Sequence, residues 1–201
     1  MCQACVILSC VEIYNTKNGK VPILLQGESQ EHFIALGGFT MSEQRIEDFV
    51  VEVLIGDVQK NALEFIEYLR ANRMLFERWR KGFWENKLYW VIKLNNKYVC
   101  FVLVNGSEEN DDPWIIWSDD SVSKCFENFP LDEHTKEIAW KNVDFCANCG
   151  SCSGGTCKTI FGKEFTNVCR TTFRFNNPDV EALVFIKKMV EIRKNDILHN
   201  S

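Results

Sequence analysis

Residues 88–104 read LYWVIKLNNKYVCFVLV, and this stretch decides the fold class. Two runs of β-branched, aromatic and aliphatic residues flank Asn95 and Asn96. A two-residue hairpin turn needs positive φ at both central positions, and asparagine enters that region at low cost. The stretch therefore predicts an antiparallel hairpin. Downstream, after the acidic stretch NGSEENDDP (105–113), WIIW (114–117) predicts a short strand, and RTTFRF (170–175) predicts a last one. Upstream, CVILSCVEIY (5–14), KVPILLQG (20–27) and HFIALGG (32–38) read as a strand meander.

Helical patterns lie between these runs. In TMSEQRIEDFVVEVLIG (40–56), Thr40 and Glu43 have the spacing of a capping box, and Ile46, Phe49, Val50, Val53 and Leu54 form one apolar stripe. A second helix is predicted from Lys60 to Lys81, with Leu63, Ile66 and Leu69 on one face and a register that drifts after Asn72. Residues 119–142 read as two short helices broken near Pro130. The chain then reaches NNPDVEALVFIKKMVEIRKNDIL (176–198), a final helix with Asn177 as N-cap, Pro178 in its first turn, and Leu183, Ile186 and Val190 on the buried stripe. Strands and helices come in clusters, without strict βαβ alternation. The expectation is an α+β protein: antiparallel sheet with helices packed on one side, and a cysteine-rich metal-binding loop before the last strand and helix. Nothing forces a domain boundary, so residues 1–201 are read as one compact unit. If it is subdivided, 1–56 holds the meander and first helix, and 57–201 an α+β domain with the cysteine-rich loop at 146–169.

The 201 residues are 46% hydrophobic and 25% charged, with a formal net charge of -5. That composition supports a folded core, and its mildly acidic balance offers no general attraction to nucleic acid or anionic membranes. No apolar run approaches the roughly eighteen residues of a spanning helix. The N-terminal MCQACVILSC lacks the basic flank of a secretory signal. These features lead to the expectation of a cytoplasmic, non-membrane protein, in which the ten cysteines are thiols for burial, metal binding or catalysis rather than a disulfide framework.

Residues 146–157 read CANCGSCSGGTC. Cys100 and Cys125 sit in apolar surroundings and are read as small core side chains, but this segment has almost nothing apolar to bury beside its sulfur. Thiolate is a soft ligand, and a tetrahedral ion such as zinc needs four donors converging from a pliable backbone. CANCG has the form of a zinc knuckle, with Gly150 free to take the left-handed conformation after the second cysteine. Cys146, Cys149 and Cys152 supply three donors; spacing leaves Cys157 or Cys169 as the fourth. The three histidines, His32, His134 and His199, lie outside the segment, so an all-sulfur site is expected. The C-x-x-C-x-x-C-x-x-x-x-C spacing is close to a bacterial ferredoxin run, but it has one extra residue before the last cysteine and no proline after it. Zinc is thus the favoured metal and an iron-sulfur cluster the alternative; a thiol-disulfide oxidoreductase is the third reading. Cys2, Cys5 and Cys10 repeat part of the spacing among aliphatic residues and are read as buried.

Other motifs carry less chemistry. RWRKGFW (78–84) alternates cations with aromatics, but is read as a helix C-terminus ended by Gly82, with Trp79 and Trp84 packed inward. Glu108, Glu109, Asp111 and Asp112 lack the ligand pattern of a calcium loop and are read as a solvated turn. Trp90, Trp114 and Trp117 are candidates for an aromatic ligand pocket.

The last sixty or so residues, with CANCGSC, FGKEFTNVC and FRFNNPDVEALVFIKKMVEIRK, resemble a set of uncharacterised bacterial proteins carrying C-x-x-C-G-x-C, then F-G-K-x-F-x-x-V-C, then a strand and a helix. The resemblance implies a site at Cys146, Cys149, Cys152 and Cys169, without Cys157, and implies no activity. The expected function is a metal-binding protein with a structural all-cysteine zinc site, serving to bind a small molecule or a protein. Neither an enzymatic reaction nor an oligomeric state is assigned.

Overall fold

The structure is a computed structural model, and it describes residues 45–80, 87–105, 112–119, 124–127, 129–147 and 154–199. The chain separates into two compact units, Met1–Thr40 and Met41–Ser201, and all the described residues belong to the second. The expected strands within 5–38, and Cys2, Cys5, Cys10 and His32, lie outside the described residues.

Four helices and a seven-stranded antiparallel sheet make up the second unit as described, an α+β architecture. The order is α1 (Ile46–Val53), α2 (Gly56–Ala71), β1 (Leu75–Arg78), β2 (Leu88–Leu94), β3 (Lys97–Val104), β4 (Trp114–Ser118), α3 (Glu133–Lys141), β5 (Val143–Phe145), β6 (Thr156–Ile160), β7 (Lys163–Asn176) and α4 (Val180–His199). Across the sheet the strands run β1-β2-β3-β4-β7-β5, and β6 also pairs with β7. The β2–β3 hairpin forms as expected: Asn95 and Asn96 have φ of 49° and 61°, and Leu94 lies opposite Lys97.

Strand alternation divides the sheet into two faces. The row Trp90–Val102–Ile116, with Ile92, Val104 and Trp114, joins the main core with residues from all four helices. Tyr89, Val91, Phe101, Leu103, Ile115 and Trp117 alternate with these residues on the opposite face. The aromatic part of the core ties the last third of the chain together. Phe173 of β7 lies 5.0 Å from Phe126 and 5.1 Å from Phe185 of α4, and Phe161, in the β6–β7 turn, lies 5.9 Å from Phe185. Edge-to-face contacts like these add about 1 kcal/mol each to the burial of the rings.

Four local expectations are corrected. The helix predicted over Lys60–Lys81 ends at Ala71: Arg73 takes a φ of 59°, and Leu75–Arg78 instead pairs with β2 as an edge strand. Within RWRKGFW the described residues 78–80 do not end a helix, since Arg78 closes β1 and the Trp79 N–H donates to the Tyr89 carbonyl at 2.9 Å; residues 81–84, with Gly82 and Trp84, lie outside the described residues. Asn177 does not cap α4. It sits at φ 46° and exchanges bonds with Trp114, its Oδ1 accepting from the Trp114 N–H at 3.0 Å, while Asp179 Oδ1 caps the helix through the Ala182 N–H. Finally, the loop expected over 146–169 contains strand from Thr156 onward, because β6 and the first part of β7 lie within it; residues 148–153 lie outside the described residues. Leu183, Ile186 and Val190 are buried, as expected for the final helix, and Pro130 separates a turn at 124–126 from α3. For α1, the Arg45 N–H donates to the Asp48 carboxylate at 2.9 Å; the Thr40–Glu43 box lies outside the described residues.

Candidate metal centre

Val168 is the residue of β7 with a strand on either side, Phe145 of β5 opposite it on one edge and Thr156 of β6 on the other. Cys146 follows Phe145 directly, Cys157 follows Thr156, and Cys169 follows Val168. Three of the sequence-predicted cysteines thus each lie one residue along the chain from a member of a single ladder position.

Both ladders are irregular there. Along β6, Thr156 and Lys158 face Val168 and Phe165, so β7 carries an extra residue, and Asn167 accommodates it with a φ of 58°. Along β5, Val143 and Phe145 face Phe173 and Val168, so residues 169–172 form a larger excursion that begins at Cys169. Such bulges bend a strand and re-aim its side chains. The sequence signal for the first was available: Asn167 interrupts the strand-forming EFTNVC, and asparagine is depleted in strands yet tolerant of the left-handed region.

Asn167 also gathers the chain on both sides of CANCGSCSGG. The Cys146 N–H donates to the Asn167 carbonyl at 2.8 Å, and Asn167 Nδ2 donates back to the Cys146 carbonyl at 3.1 Å. On the returning side Gly155 runs flush against the same residue, where a β-carbon would come within 2.4 Å of Asn167 Oδ1 and 2.7 Å of its carbonyl carbon. This close approach is what requires glycine at 155. The chain thus leaves at Cys146 and returns at Gly155 beside one residue, two positions before Cys169.

Charge and burial differ among the cysteines. Cys146 is buried, Cys169 half-buried and Cys157 exposed. The Lys158 ammonium donates to the Cys169 carbonyl at 3.1 Å, to Thr172 Oγ1 at 3.0 Å and to the Arg170 carbonyl at 3.4 Å. These groups lie in the stretch of β7 between its pairing with β6 and its pairing with β4, where a mobile donor can serve carbonyls that bend out of a ladder. Asp144 on β5 accepts from Thr171 Oγ1 at 2.6 Å and holds the other edge of the excursion. Cys149 and Cys152 lie outside the described residues. Among the described residues, no three histidine, cysteine, aspartate or glutamate side chains stand close enough together to hold a metal ion.

The remaining predicted sites are dispersed. Trp90 and Trp114 are buried on the helix-covered face, whereas Trp117 points to the opposite face, against Tyr89 at 6.2 Å and under the Arg174 guanidinium at 5.7 Å. The structure therefore does not bring the three together in one pocket. Cys100 and Cys125 behave as the core thiols expected of them: burial pushes both up, helped by the Asp119 carboxylate at Cys100 and by Asp196 at Cys125. His134 lies on α3, and His199 Nδ1 meets the Asn195 carbonyl at 2.8 Å at the end of α4. Asp112 accepts from Asn176 Nδ2 at 2.9 Å, and Glu108, Glu109 and Asp111 lie outside the described residues.

Sequence reading missed Arg193, which occupies the α4 stripe between Val190 and Ile197. The residue is 6% exposed, and its guanidinium pairs with Asp119 at 3.0 Å and with Asp196 and donates through Nε to the Tyr98 carbonyl at 2.9 Å. A charged residue at a stripe position was the available signal.

No protein-family model, curated protein or solved structure matches the chain. Among the described residues no helix is long and apolar enough to cross a membrane.

Proposed function

We propose that this is a metal-binding protein in which Cys146, Cys149, Cys152 and Cys169 hold one zinc ion in an all-thiolate structural site. The observation that carries the reading is the pair of hydrogen bonds between Cys146 and Asn167, which fixes the first ligand beside the strand that delivers the fourth. Four cysteines on a knuckle and a bulged strand suit the tetrahedral geometry of zinc. Cys169, half-buried and on the same strand as Asn167, is better sheltered for the role than the exposed Cys157. A zinc ion at this point would tie the segment 147–153 to β7. Structural zinc in small modules contributes on the order of 10 kcal/mol to folding; here the aromatic core shares the task. The biological role is that of a cytoplasmic module that binds a small molecule or a protein.

One anaerobic preparation tests the reading. Colourless protein with one zinc per chain is the expected result. Brown protein with iron and acid-labile sulfide would replace zinc with an iron-sulfur cluster and a role in electron transfer or sensing. Metal-free protein whose cysteines cycle between dithiol and disulfide would point to a thiol-disulfide oxidoreductase. For the ligand set, Cys169→Ser is expected to lower metal occupancy more than Cys157→Ser, and the reverse ranking would overturn the assignment of the fourth ligand.

A further inference from the structure

The part of β7 that begins at the proposed fourth ligand is held from both sides. Val143 and Phe145 of β5 pair with Phe173 and Val168, so Asp144 alone stands against residues 169–172. A strand carrying that many extra residues bows out of its ladder, and its backbone groups need partners elsewhere. On the β5 side, Asp144 accepts from Thr171 Oγ1 at 2.6 Å. On the β6 side, the Lys158 ammonium donates to the Cys169 carbonyl at 3.1 Å, to Thr172 Oγ1 at 3.0 Å and to the Arg170 carbonyl at 3.4 Å. An ammonium head carries three donors, and here they reach three residues of the bowed segment.

These bonds also fix a positive charge at Cys169. The carbonyl oxygen and the Sγ of one cysteine are less than about 5 Å apart, so the Lys158 ammonium stands within about 8 Å of the Cys169 sulfur in any rotamer. Zinc is bound by thiolates and not by thiols, and four thiolates around one divalent ion leave the centre negative overall. A cation at that range still acts on such a centre, since the screening length in physiological salt is about 8 Å and a half-buried charge is screened less. Lys158 is half-buried. The neighbouring cations are placed otherwise: Arg170 is exposed, and the Lys163 ammonium lies over the rings of Trp140 and Phe165 at 5.0 and 5.2 Å.

From this placement we infer that Lys158 is the positioning and charge-compensating residue of the zinc site: it fixes the backbone of the fourth ligand and keeps a positive charge beside that ligand's thiolate. The inference rests on the proposed ligand set of Cys146, Cys149, Cys152 and Cys169. On this view β6, the strand on which the chain returns from the cysteine segment, gives the site a cation from Lys158 and no sulfur from Cys157.

Zinc affinity of the reduced full-length chain, measured by competition with a chromogenic chelator, tests it. Lys158→Arg keeps the charge and the donors, Lys158→Gln keeps donors without the charge, and Lys158→Met removes both. The arginine variant should bind zinc within about three-fold of wild type, and the glutamine and methionine variants each about ten-fold or more weaker, the usual loss when a group supporting the ligands is removed. With two neutral variants, one that fails to fold by circular dichroism leaves the other to decide. Urea unfolding supplies a second readout: Lys158→Gln should lose more stability in zinc-loaded protein than in zinc-stripped protein, whereas a lysine that only props the strand costs the same in both. Zinc binding by Lys158→Gln as tight as wild type would overturn the inference, as would an arginine variant as weak as the glutamine one, or equal stability losses with and without zinc. A wild-type chain that takes up no zinc, or one whose affinity survives Cys169→Ser, overturns the ligand set itself and this inference with it, so the two failures are told apart.

Discussion

Asn167 gives the sharpest test of how the cysteine segment is held, because its backbone angle and its side chain contribute separately. Replacing it by alanine places a β-carbon residue at φ 58°, where asparagine is tolerated and alanine is strained; the left-handed region costs an ordinary residue about 1 to 2 kcal/mol. The substitution also removes the Nδ2 bond to the Cys146 carbonyl. A part-buried neutral hydrogen bond contributes about 1 kcal/mol net. The two effects together predict that Asn167→Ala destabilises the protein by about 2 to 3 kcal/mol. Asn167→Gly loses the same hydrogen bond but relieves the backbone strain, so it should cost only about 1 kcal/mol. Urea unfolding of the three proteins, followed by tryptophan fluorescence, makes the comparison. With a slope of roughly 2 kcal/mol per molar, the midpoint should fall by about 1 M or more for alanine and by about half that for glycine. If glycine proves as costly as alanine, the left-handed bulge plays no energetic part and the account of Asn167 as the pivot of the two ladders is wrong.

Three further outcomes follow from the same structure. Gly155→Ala should destabilise by about 2 kcal/mol or more, comparable to overpacking a core, because its β-carbon meets the Asn167 backbone; Asn167→Ala in the same chain should recover little, since the obstruction at 2.7 Å is the carbonyl carbon. The Glu47 carboxyl, pushed up by partial burial but held down more strongly by hydrogen bonds from Arg70, its own backbone N–H and Arg45, has a folded pKa of about 2 against 4.5 in the reference state, so its contribution is complete above about pH 4.5 and is lost as the pH falls toward 2. The stability gap between wild type and Glu47→Gln should therefore narrow between pH 5 and pH 3, and a gap independent of pH would contradict the assignment. Arg193→Met should cost about 3 kcal/mol or more in thermal or urea unfolding by leaving the Asp119 carboxylate buried without its guanidinium. Adding Asp119→Asn to that variant should restore part of the loss, as the penalty belongs to the buried charge.

The elements legible in the sequence are those whose cause is local. The β2–β3 hairpin is written in adjacent residues, and the α4 stripe in a period that the helix itself enforces. β1 was read as helix because LFER carries no strand signature; it becomes a strand when Arg73 breaks α2 and the edge of β2 is there to pair with it. That Cys146 and Cys169 each follow a member of one ladder pair, Phe145 and Val168, was likewise out of reach of spacing, since it depends on how far β7 slips against β5 across an interruption of more than twenty residues. Four of the six non-glycine residues with positive φ among the described residues are asparagines, and they show how context assigns the role. Asn95 and Asn96, paired between two strands, make the hairpin turn. Asn167, alone inside a strand run, takes up the extra residue of a bulge. Asn177, before a proline, cannot enter the helix that follows and turns back to Trp114. Its oxygen therefore reaches the strand instead of the helix N-terminus, and Asp179 takes the cap. The residue type announces a left-handed position in each case, and the neighbouring partners decide what that position does. Asn167 accordingly leads to the candidate site more directly than any cysteine: it fixes where the chain leaves and re-enters the sheet, and the thiols can converge only where those two points meet.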